Sequence, residues 1–458
     1  MPVGRILGMI KLGVIFLGRK RPGFDPEWGK QMEQAVKAAL AKSSYEAIIR
    51  DEYVVDDASL RSALSELRGA GADVLAVLQP TMSDGRFAPL IGQIWDNPVV
   101  LWATPEKQDY SMISACSLVG LHTFASTMRQ LRQPFEIVYG MPGEKETNEQ
   151  LDRAVNIAYA VSRMKQCKVG MVGYHAPGFI DMQADPFQLA DWLKLQLWHT
   201  GVVELSDRMN ALLDERVEAD VAEVMGMGMP LEDVTEANVA IDSRYYLAMS
   251  DMIRDESLDV LAIRDWPELP NLTGQWPYLA IVRLLSEHMP VACEGDTDGG
   301  ITMLIGKLLG FEPGYLSDWL EHDHETITLW HAGNASLNLC EPVGSAKGPR
   351  LTRHFNATPL RKPLVVDADI KVGIPVTIAR LWRCDNAYYM MAVDAETIKP
   401  KRTLMGTNGL ATVPGKDVMI WFDELCHTGM PHHVAVFPGH NTETMRRFAR
   451  QMGIGWIS

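Results

Sequence analysis

Three side chains of this sequence have the types and settings to hold a metal ion: Glu294 in PVACEGDTDGG, Asp318 in GYLSDW and His433 in GMPHHVAVFPGH. Oxygen-rich ligation with one imidazole suits a hard or borderline divalent ion such as Mn²⁺ or Mg²⁺, whereas a structural zinc site usually recruits thiolates. The segment between the two carboxylates is long enough for one helix. The pattern indicates a metal site at strand ends, with its imidazole supplied by another domain.

Glu294 also has a simpler interpretation, as a salt-bridged surface group or as a neighbour of a helix N-cap. Its surroundings favour the metal site. It directly follows an apolar strand, and Asp296, Asp298 and two glycines come next. Because so many carboxylates in one loop repel each other, we expect a cation beside them.

Asp318 and the histidine pair have structural alternatives as well. Ser317 and Asp318 could cap a short helix, and a pair such as His432–His433 is more often structural or hydrogen-bonded than metal-bound. The HDHE cluster and His331 in WHAGNA are further candidates. The sequence alone leaves these alternatives open.

Composition excludes several classes of function. The chain has 458 residues and a formal charge of −15, with 43 basic against 58 acidic residues. Nucleic acid and anionic membranes both need clustered basic residues, so neither is an expected partner. The local run Arg19-Lys20-Arg21 is too short for such a surface, and indicates either a solvated loop or an anion or hydroxyl contact.

The remaining composition points to the cytoplasm. Six scattered cysteines form no CxxC pair, no apolar run reaches membrane-spanning length, and the apolar N-terminus is interrupted by charges without a cleavage site. The GxGxxG fingerprint does not occur, and GITMLIGKLL has the wrong spacing for a phosphate loop, so we expect no nucleotide cofactor. HExxH and GxSxG are also absent from the sequence.

The order of elements predicts an α/β protein: two doubly wound parallel-sheet domains followed by a smaller, mostly antiparallel β domain. The first third alternates apolar runs with amphipathic stretches in a βαβ rhythm. The predicted strands of a second series are KVGMVGY, GVVELSD, DVLAIRD, PVACEGD and TITLWHAG. DPFQLADWLKLQLW is among the periodic segments predicted to separate them.

After EPVGSAKGPR the segments alternate and are separated by turns, which is typical of antiparallel sheet or a small barrel. We therefore expect an N-terminal α/β domain over 1–147, a central α/β domain with the carboxylate ligands over 148–342, and a C-terminal β-rich domain with the histidine ligand over 343–458. Ligands of parallel sheets bind beyond the carboxyl ends of strands, where Glu294, Asp84 and Arg19 are predicted to lie.

Several segments resemble the superfamily of L-fucose isomerase and L-arabinose isomerase, most closely its shorter, fucose-isomerase-like members. The resemblance rests on PTMSDGRFAPLIGQIWDNPVVLWATPE, SLVGLHTFASTMRQLRQPFEIVYG, GYHAPGFIDM, ACEGDTDGGITM, SDW, LWHAGNA and MPHHVAVFPGHNTETMRRFARQMGI. It implies that Glu294, Asp318 and His433 bind Mn²⁺, with Mg²⁺ or Co²⁺ as alternatives. His432 could exchange roles with His433. The C-terminal domain is shorter than in full-length fucose isomerases.

The resemblance further implies a ketol isomerase that interconverts an aldose and a ketose through a cis-ene-diol, with Glu294 and Asp318 as both ligands and proton carriers. A homo-oligomer, a trimer or a hexamer, is also implied. In this interpretation Arg19 orients sugar hydroxyls, Trp102 or Trp330 stacks on the sugar, His331 hydrogen-bonds an oxygen, and His432 is a further substrate-binding residue.

The sugar itself stays open, including whether it carries a sulfonate or phosphate that Arg19, Lys20 and Arg21 engage. Two other functions also remain. One is a non-catalytic sugar-binding protein or sensor, since two α/β domains around a cleft suit ligand capture. The other is a related metal-dependent enzyme acting on a sugar acid.

Overall fold

The computed structural model describes residues 9–20, 23–83, 85–109, 111–354 and 361–458. Two of the predicted cleft residues, Arg21 and Asp84, lie outside the described residues. The chain divides into an N-terminal unit and a C-terminal unit, and the boundary lies between Arg163 and Met164. In the described part, no helix has the length and apolar character needed to cross a membrane.

The N-terminal unit contains the predicted parallel sheet, with five strands in the order β2-β1-β3-β4-β5. Its strands are β1 Lys11–Phe16, β2 Glu46–Ile49, β3 Val74–Gln79, β4 Val99–Ala103 and β5 Phe135–Tyr139. Its helices are α1 Pro26–Leu40, α2 Asp57–Gly69, α3 Phe87–Ile94, α4 Ser117–Gln130 and α5 Lys145–Met164. One apolar cluster joins the sheet to α2, α3 and α4, and another joins it to α1 and α5. Helices therefore cover both faces, as in a doubly wound sheet.

The C-terminal unit begins with a four-stranded parallel sheet in the order β7-β6-β8-β9. Its strands are β6 Lys168–Val172, β7 Gln196–Thr200, β8 Val260–Ile263 and β9 Val291–Ala292. The helices around it are α6 Pro186–Gln188, α7 Val202–Asn210, α8 Asp214–Gly226, α9 Glu236–Glu256, α10 Glu268–Thr273, α11 Tyr278–Ser286 and α12 Thr297–Leu308.

Two predicted elements in this region are wrong. The segment GVVELSD lies in α7 rather than in a strand, and the second strand of the sheet is QLWHT, which the sequence placed in a periodic, helix-like segment. Short apolar runs are compatible with the periodicity of a helix and with that of a strand, so packing against neighbouring elements decides which of the two forms.

A nine-stranded, mostly antiparallel sheet completes the C-terminal unit, in the order β12-β13-β16-β11-β10-β17-β14-β15-β18. The strands are β10 Tyr315–His322, β11 Thr326–His331, β12 Arg350–Arg353, β13 Pro363–Asp369, β14 Pro375–Cys384, β15 Ala387–Ile398, β16 Thr407–Thr412, β17 His433–Pro438 and β18 Gly455–Ile457. Two further helices are α13 Val418–His427 and α14 Thr442–Met452. An additional pairing of β15 with β16 closes β16, β11, β10, β17, β14 and β15 into an antiparallel barrel.

The segment TITLWHAG was predicted in the second parallel sheet, and this prediction is wrong. It contains β11, which runs antiparallel to β10 and β16 within the barrel. The strands before and after residue 342 therefore share one sheet, while the division of the chain into three domains stays a prediction. Helix α12 packs against both sheets of the unit, since it contacts β8 and β9 as well as β10, β14 and β17.

A buried carboxyl group on α9 gives the fold a testable pH dependence. Asp242 is fully buried, and burial raises its pKa to about 8, although nearby Arg283 favours the ionised form. In the unfolded chain this carboxyl has a pKa of about 3.9, so between these values it ionises only on unfolding. The free energy of unfolding should therefore fall as pH rises, by up to about 1.4 kcal/mol per pH unit.

The variant Asp242→Asn isolates this contribution, because the amide resembles the neutral acid in shape and does not titrate. Urea unfolding at pH 6 and pH 8 should show a smaller loss of stability for the variant than for the wild type. Parallel pH profiles for the two proteins would contradict the prediction.

Candidate active site

Glu294, Asp318 and His433 meet where the parallel sheet and the barrel of the C-terminal unit approach each other. Glu294 follows the end of β9, Asp318 lies on β10, and His433 begins β17. Asp318 and His433 are directly paired across the two antiparallel strands. Directly opposed residues bring their side chains together, so strand register places the imidazole beside one carboxylate and the β9 turn adds the other.

The imidazole of His433 lies close to both carboxylates. The Nε2 atom of His433 lies 3.3 Å from Asp318 Oδ1 and 3.5 Å from Glu294 Oε2. Both His433 Nε2 and Glu294 Oε2 are buried without a hydrogen-bond partner in the described part of the chain. Carboxylate oxygens and imidazole nitrogens are donors that divalent cations accept in proteins, so these residues could hold a metal ion.

The two neighbouring histidines differ in their surroundings. His433 is fully buried, whereas the side chain of His432 is 36% exposed. His432 Nε2 lies 3.8 Å from Glu294 and 3.7 Å from Asp318, and its ring packs against Phe179. His432 is therefore the histidine that an entering molecule can contact.

His331 and Trp330 border the same site. His331 ends β11, is buried, and forms one potential metal-binding group with Glu294 and His433. Asp318, His432 and His433 form the other such group. Trp330 pairs with Asp318 across β10 and β11, and its indole donates a hydrogen bond to the carbonyl of Met405.

Asp265 and Trp266 fix the orientation of Glu294. The Glu294 backbone is left-handed, with φ 61°, and its N–H donates to Asp265 Oδ1 at 2.6 Å. The Trp266 indole donates to Glu294 Oε1 at 3.1 Å. One carboxylate oxygen is thus occupied, and the other, Oε2, faces His433. Neither residue is predicted from the sequence, although Asp265 follows an apolar strand end just as Glu294 does.

The turn at Glu294 also requires a glycine. Gly295 has φ +70°, and a Cβ atom there would lie 2.2 Å from the carbonyl oxygen of Tyr174. Gly274 is a matched control, because its φ is +79° and nothing lies within 4 Å of a Cβ.

We expect Gly274→Ala to lower the free energy of unfolding only by the cost of placing alanine in a left-handed conformation, about 1–2 kcal/mol. Gly295→Ala should lose more stability and displace Glu294, with a loss of activity. Urea unfolding and an activity assay on both variants test this, and equal effects of the two substitutions would argue against a steric requirement at Gly295.

The negative loop after Glu294 is neutralised mainly by arginines. Asp296 and Arg380 form a fully buried, two-point ion pair, and Asp298 pairs with Arg383 at 2.9 Å. The sequence predicts a cation that balances all three carboxylates of this loop. In the described structure, arginine side chains neutralise Asp296 and Asp298, whereas Glu294 faces His433.

The pKa values of the site reflect the same crowding. Burial opposes the charge of Asp318, yet its contacts with His433 and His331 lower its pKa to about 2. Burial likewise opposes a charged His433, but its contacts with the carboxylates of Asp296 and Asp318 raise its pKa to about 10. The carboxylates around this imidazole therefore favour a positive charge at the site, and a divalent ion could supply it.

The other two predicted site residues belong to the N-terminal unit. Arg19 donates a hydrogen bond to the carbonyl of Ser83, and its guanidinium lies over the ring of Phe24. Trp102 is 1% exposed and packs in an apolar cluster between the sheet and α1 and α5. Core packing accounts for Trp102, and we do not retain it as a sugar-stacking residue.

Comparison with known proteins identifies the reaction class. The chain is 26% identical over 450 residues to the sulfoquinovose isomerases of Priestia aryabhattai and Priestia megaterium, covering 96% of this chain and 98% of theirs. It is 25% identical over 387 residues to the sulfoquinovose isomerase of Alkalicoccus urumqiensis, covering 82% of this chain and 84% of that protein. The chain is a sugar isomerase of the aldose–ketose class.

Other comparisons add little to this assignment of a sugar isomerase. No protein-family model matches the chain. A periplasmic solute-binding protein from Actinobacillus succinogenes with bound D-allose aligns with 65% of this isomerase and 91% of its own chain, at 11% identity. Its TM-score of 0.18 is too low to bear on the fold or the function.

Proposed function

We propose that this isomerase is metal-dependent, with Mn²⁺ held by Glu294, Asp318 and His433 and with a cis-ene-diol as the intermediate. The observation that carries the proposal is that His433 Nε2 lies within 3.5 Å of both Glu294 Oε2 and Asp318 Oδ1. Among the described residues, His433 Nε2 and Glu294 Oε2 are buried without hydrogen-bond partners. Buried polar atoms without partners are costly, so a bound cation explains their arrangement. Mg²⁺ and Co²⁺ fit the same donors and are alternatives.

The reaction moves a proton between C1 and C2 of the sugar and exchanges aldehyde and alcohol character between the two oxygens. A bound divalent ion would supply Lewis-acid stabilisation of the charge that develops on O1 and O2. Glu294 and Asp318 are the carboxylates available to carry protons between carbons or oxygens. Their side chains are 14% and 22% exposed, so both can be reached by substrate while most of their surface is shielded from water.

Neighbouring side chains offer contacts to the sugar. His432 is partly exposed and lies near both carboxylates, so it can hydrogen-bond a sugar oxygen. In the described part of the chain, the buried Nδ1 atom of His331 has no hydrogen-bond partner, which supports its predicted role toward a substrate oxygen. Trp330 replaces Trp102 as the proposed stacking residue, because it is the strand neighbour of Asp318.

For the substrate we propose an aldose sulfonated at C6. This proposal is supported by the names of the relatives, which are sulfoquinovose isomerases aligned over nearly their whole length. A sulfonate carries a permanent negative charge, and an arginine recognises it through several parallel hydrogen bonds. Arg19 keeps its predicted role in contacting polar groups of the sugar. The cytoplasmic location and a trimeric or hexameric assembly also stay predictions.

The test is a substrate panel assayed with metal-stripped protein, with and without added Mn²⁺. The panel contains sulfoquinovose, glucose, L-fucose and the sugar acid glucuronate, and chromatography separates the products. We expect Mn²⁺-dependent conversion of sulfoquinovose to its ketose, with slower turnover of the others. Conversion without metal in fully stripped protein would refute metal dependence. Preferred turnover of glucuronate would support the sugar-acid alternative, and binding without turnover of any sugar would support the non-catalytic one.

A further inference from the structure

Asp296 lies behind His433, on the side away from Glu294 and Asp318. Its Oδ2 atom is 2.9 Å from His433 Nδ1, and both side chains are fully buried. The Arg380 guanidinium donates to both carboxylate oxygens of Asp296, and a buried two-point pair of this kind joins a charged arginine to an ionised carboxylate. An ionised carboxylate only accepts hydrogen bonds, so Nδ1 of His433 must be the donor. This leaves Nε2 as the atom that faces the two carboxylate ligands.

Asp296 is itself held from several directions. Arg380 on β14 donates to both carboxylate oxygens, at 2.5 and 2.9 Å. As the N-cap of α12, Asp296 also accepts the Gly299 N–H at 2.9 Å. The absence of a side chain at Gly299 is part of this arrangement, because a Cβ there would lie 2.4 Å from Asp296 and 2.6 Å from Arg380.

Helix α12 and strand β14 are joined next to this ion pair. The backbone N–H of Leu381 donates to the Thr302 hydroxyl at 3.0 Å. Strand β14 in turn pairs with β17, the strand that begins with His433. The ion pair therefore connects helix α12, which packs against the parallel sheet, to β14. In the barrel, β14 is the neighbour of β17, the strand that carries His433.

We infer that Asp296, held by Arg380, is a positioning residue that fixes the tautomer and the direction of His433 for metal binding. The inference rests on the proposed metal site. Histidine ligands commonly donate their second ring N–H to a carboxylate, which orients the ring and increases its basicity. Here the carboxylate is secured by an arginine and a helix N-terminus, so the ring cannot turn without breaking a buried network.

The chain offers a matched control in Asp298 and Arg383. This pair joins the same helix to the same strand, and Asp298 is also buried. Among the described residues, Asp298 accepts a hydrogen bond from Arg383 and not from His433. Its replacement removes a similar buried ion pair without touching the imidazole.

The experiment measures Mn²⁺ affinity by calorimetry for the metal-stripped wild type, Asp296→Asn and Asp298→Asn, with circular dichroism to verify folding. We expect Asp296→Asn to weaken Mn²⁺ binding about 10- to 100-fold, and Asp298→Asn to leave it unchanged within error. Saturating Mn²⁺ should restore part of the activity of Asp296→Asn. Equal affinities of all three proteins, or equal losses in both variants, would overturn the inference.

Two outcomes separate this inference from the proposal beneath it. A wild type that binds no divalent metal would refute the proposed metal site itself, whereas a wild type that binds Mn²⁺ no better than Asp296→Asn would refute only the role of Asp296. If the Asp296→Asn variant does not fold because Arg380 is left unpaired, the double variant Asp296→Asn with Arg380→Met removes both buried charges. The same affinity loss is expected for it, and wild-type affinity would overturn the inference.

Discussion

Replacing Glu294 by glutamine should lower kcat/KM by about 10³-fold or more, since it removes both a proton carrier and a charged metal ligand. The amide keeps the size of the side chain, and it can still accept the hydrogen bond from Trp266. The loss should therefore arise from chemistry rather than from unfolding. Steady-state kinetics with a saturating sugar and added Mn²⁺, together with a thermal melt, measure the two effects separately.

Glu321→Gln is the control for this substitution. Glu321 lies on β10, the strand that carries Asp318, but it is exposed and pairs with Arg402 at the surface. Its replacement should leave kcat/KM unchanged within about a factor of two, because exposed ion pairs contribute little. If Glu294→Gln retained full activity and full metal content, the proposed site would be wrong.

The second large effect is expected from His433→Ala, which should weaken Mn²⁺ binding by more than about 100-fold. This exceeds the usual loss from changing a residue that merely orients a ligand. The physical reason is that His433 supplies the nitrogen donor and has no exposed surface through which water could substitute. Calorimetric titration of metal-stripped protein gives the affinity, and metal analysis after dialysis confirms it.

His432→Ala tests which of the two adjacent histidines holds the metal. His432 is partly exposed and lies farther from both carboxylates than His433 does. We expect this variant to bind Mn²⁺ nearly as well as the wild type, with its defect mainly in KM for the sugar. If His432→Ala lost metal and His433→Ala kept it, the roles assigned to the two residues would have to be exchanged.

The sequence was informative about the site because metal-binding side chains tend to stand at strand ends. Glu294 follows an apolar strand, and this position could be read without knowing what lies nearby. The same reasoning applied to Asp265 would have found a further residue of the site. By contrast, Arg380 is one of many arginines in the sequence, and nothing local marks it as the partner of Asp296.

The errors in the predicted elements have a common cause. GVVELSD and TITLWHAG are short apolar runs, and such runs carry too little periodicity to decide between helix and strand or between parallel and antiparallel pairing. The N-terminal unit was predicted more accurately because its long amphipathic helices alternate with strands. Its helix caps also depend on residues that are close in the sequence. At the start of α2, the side chains of Asp56 and Ser59 each accept a hydrogen bond from the other's backbone N–H.

The sequence by itself determined the α/β rhythm of the N-terminal unit, the antiparallel character of the C-terminal strands and the residue types of the proposed metal site. These properties depend on neighbours in the chain. The tertiary structure alone decided that Asp318 faces His433, that His433 rather than His432 is buried, and that Asp296 is neutralised by Arg380. Strand register and long-range ion pairs join segments far apart in the chain, so their specificity exists only once the sheets have packed.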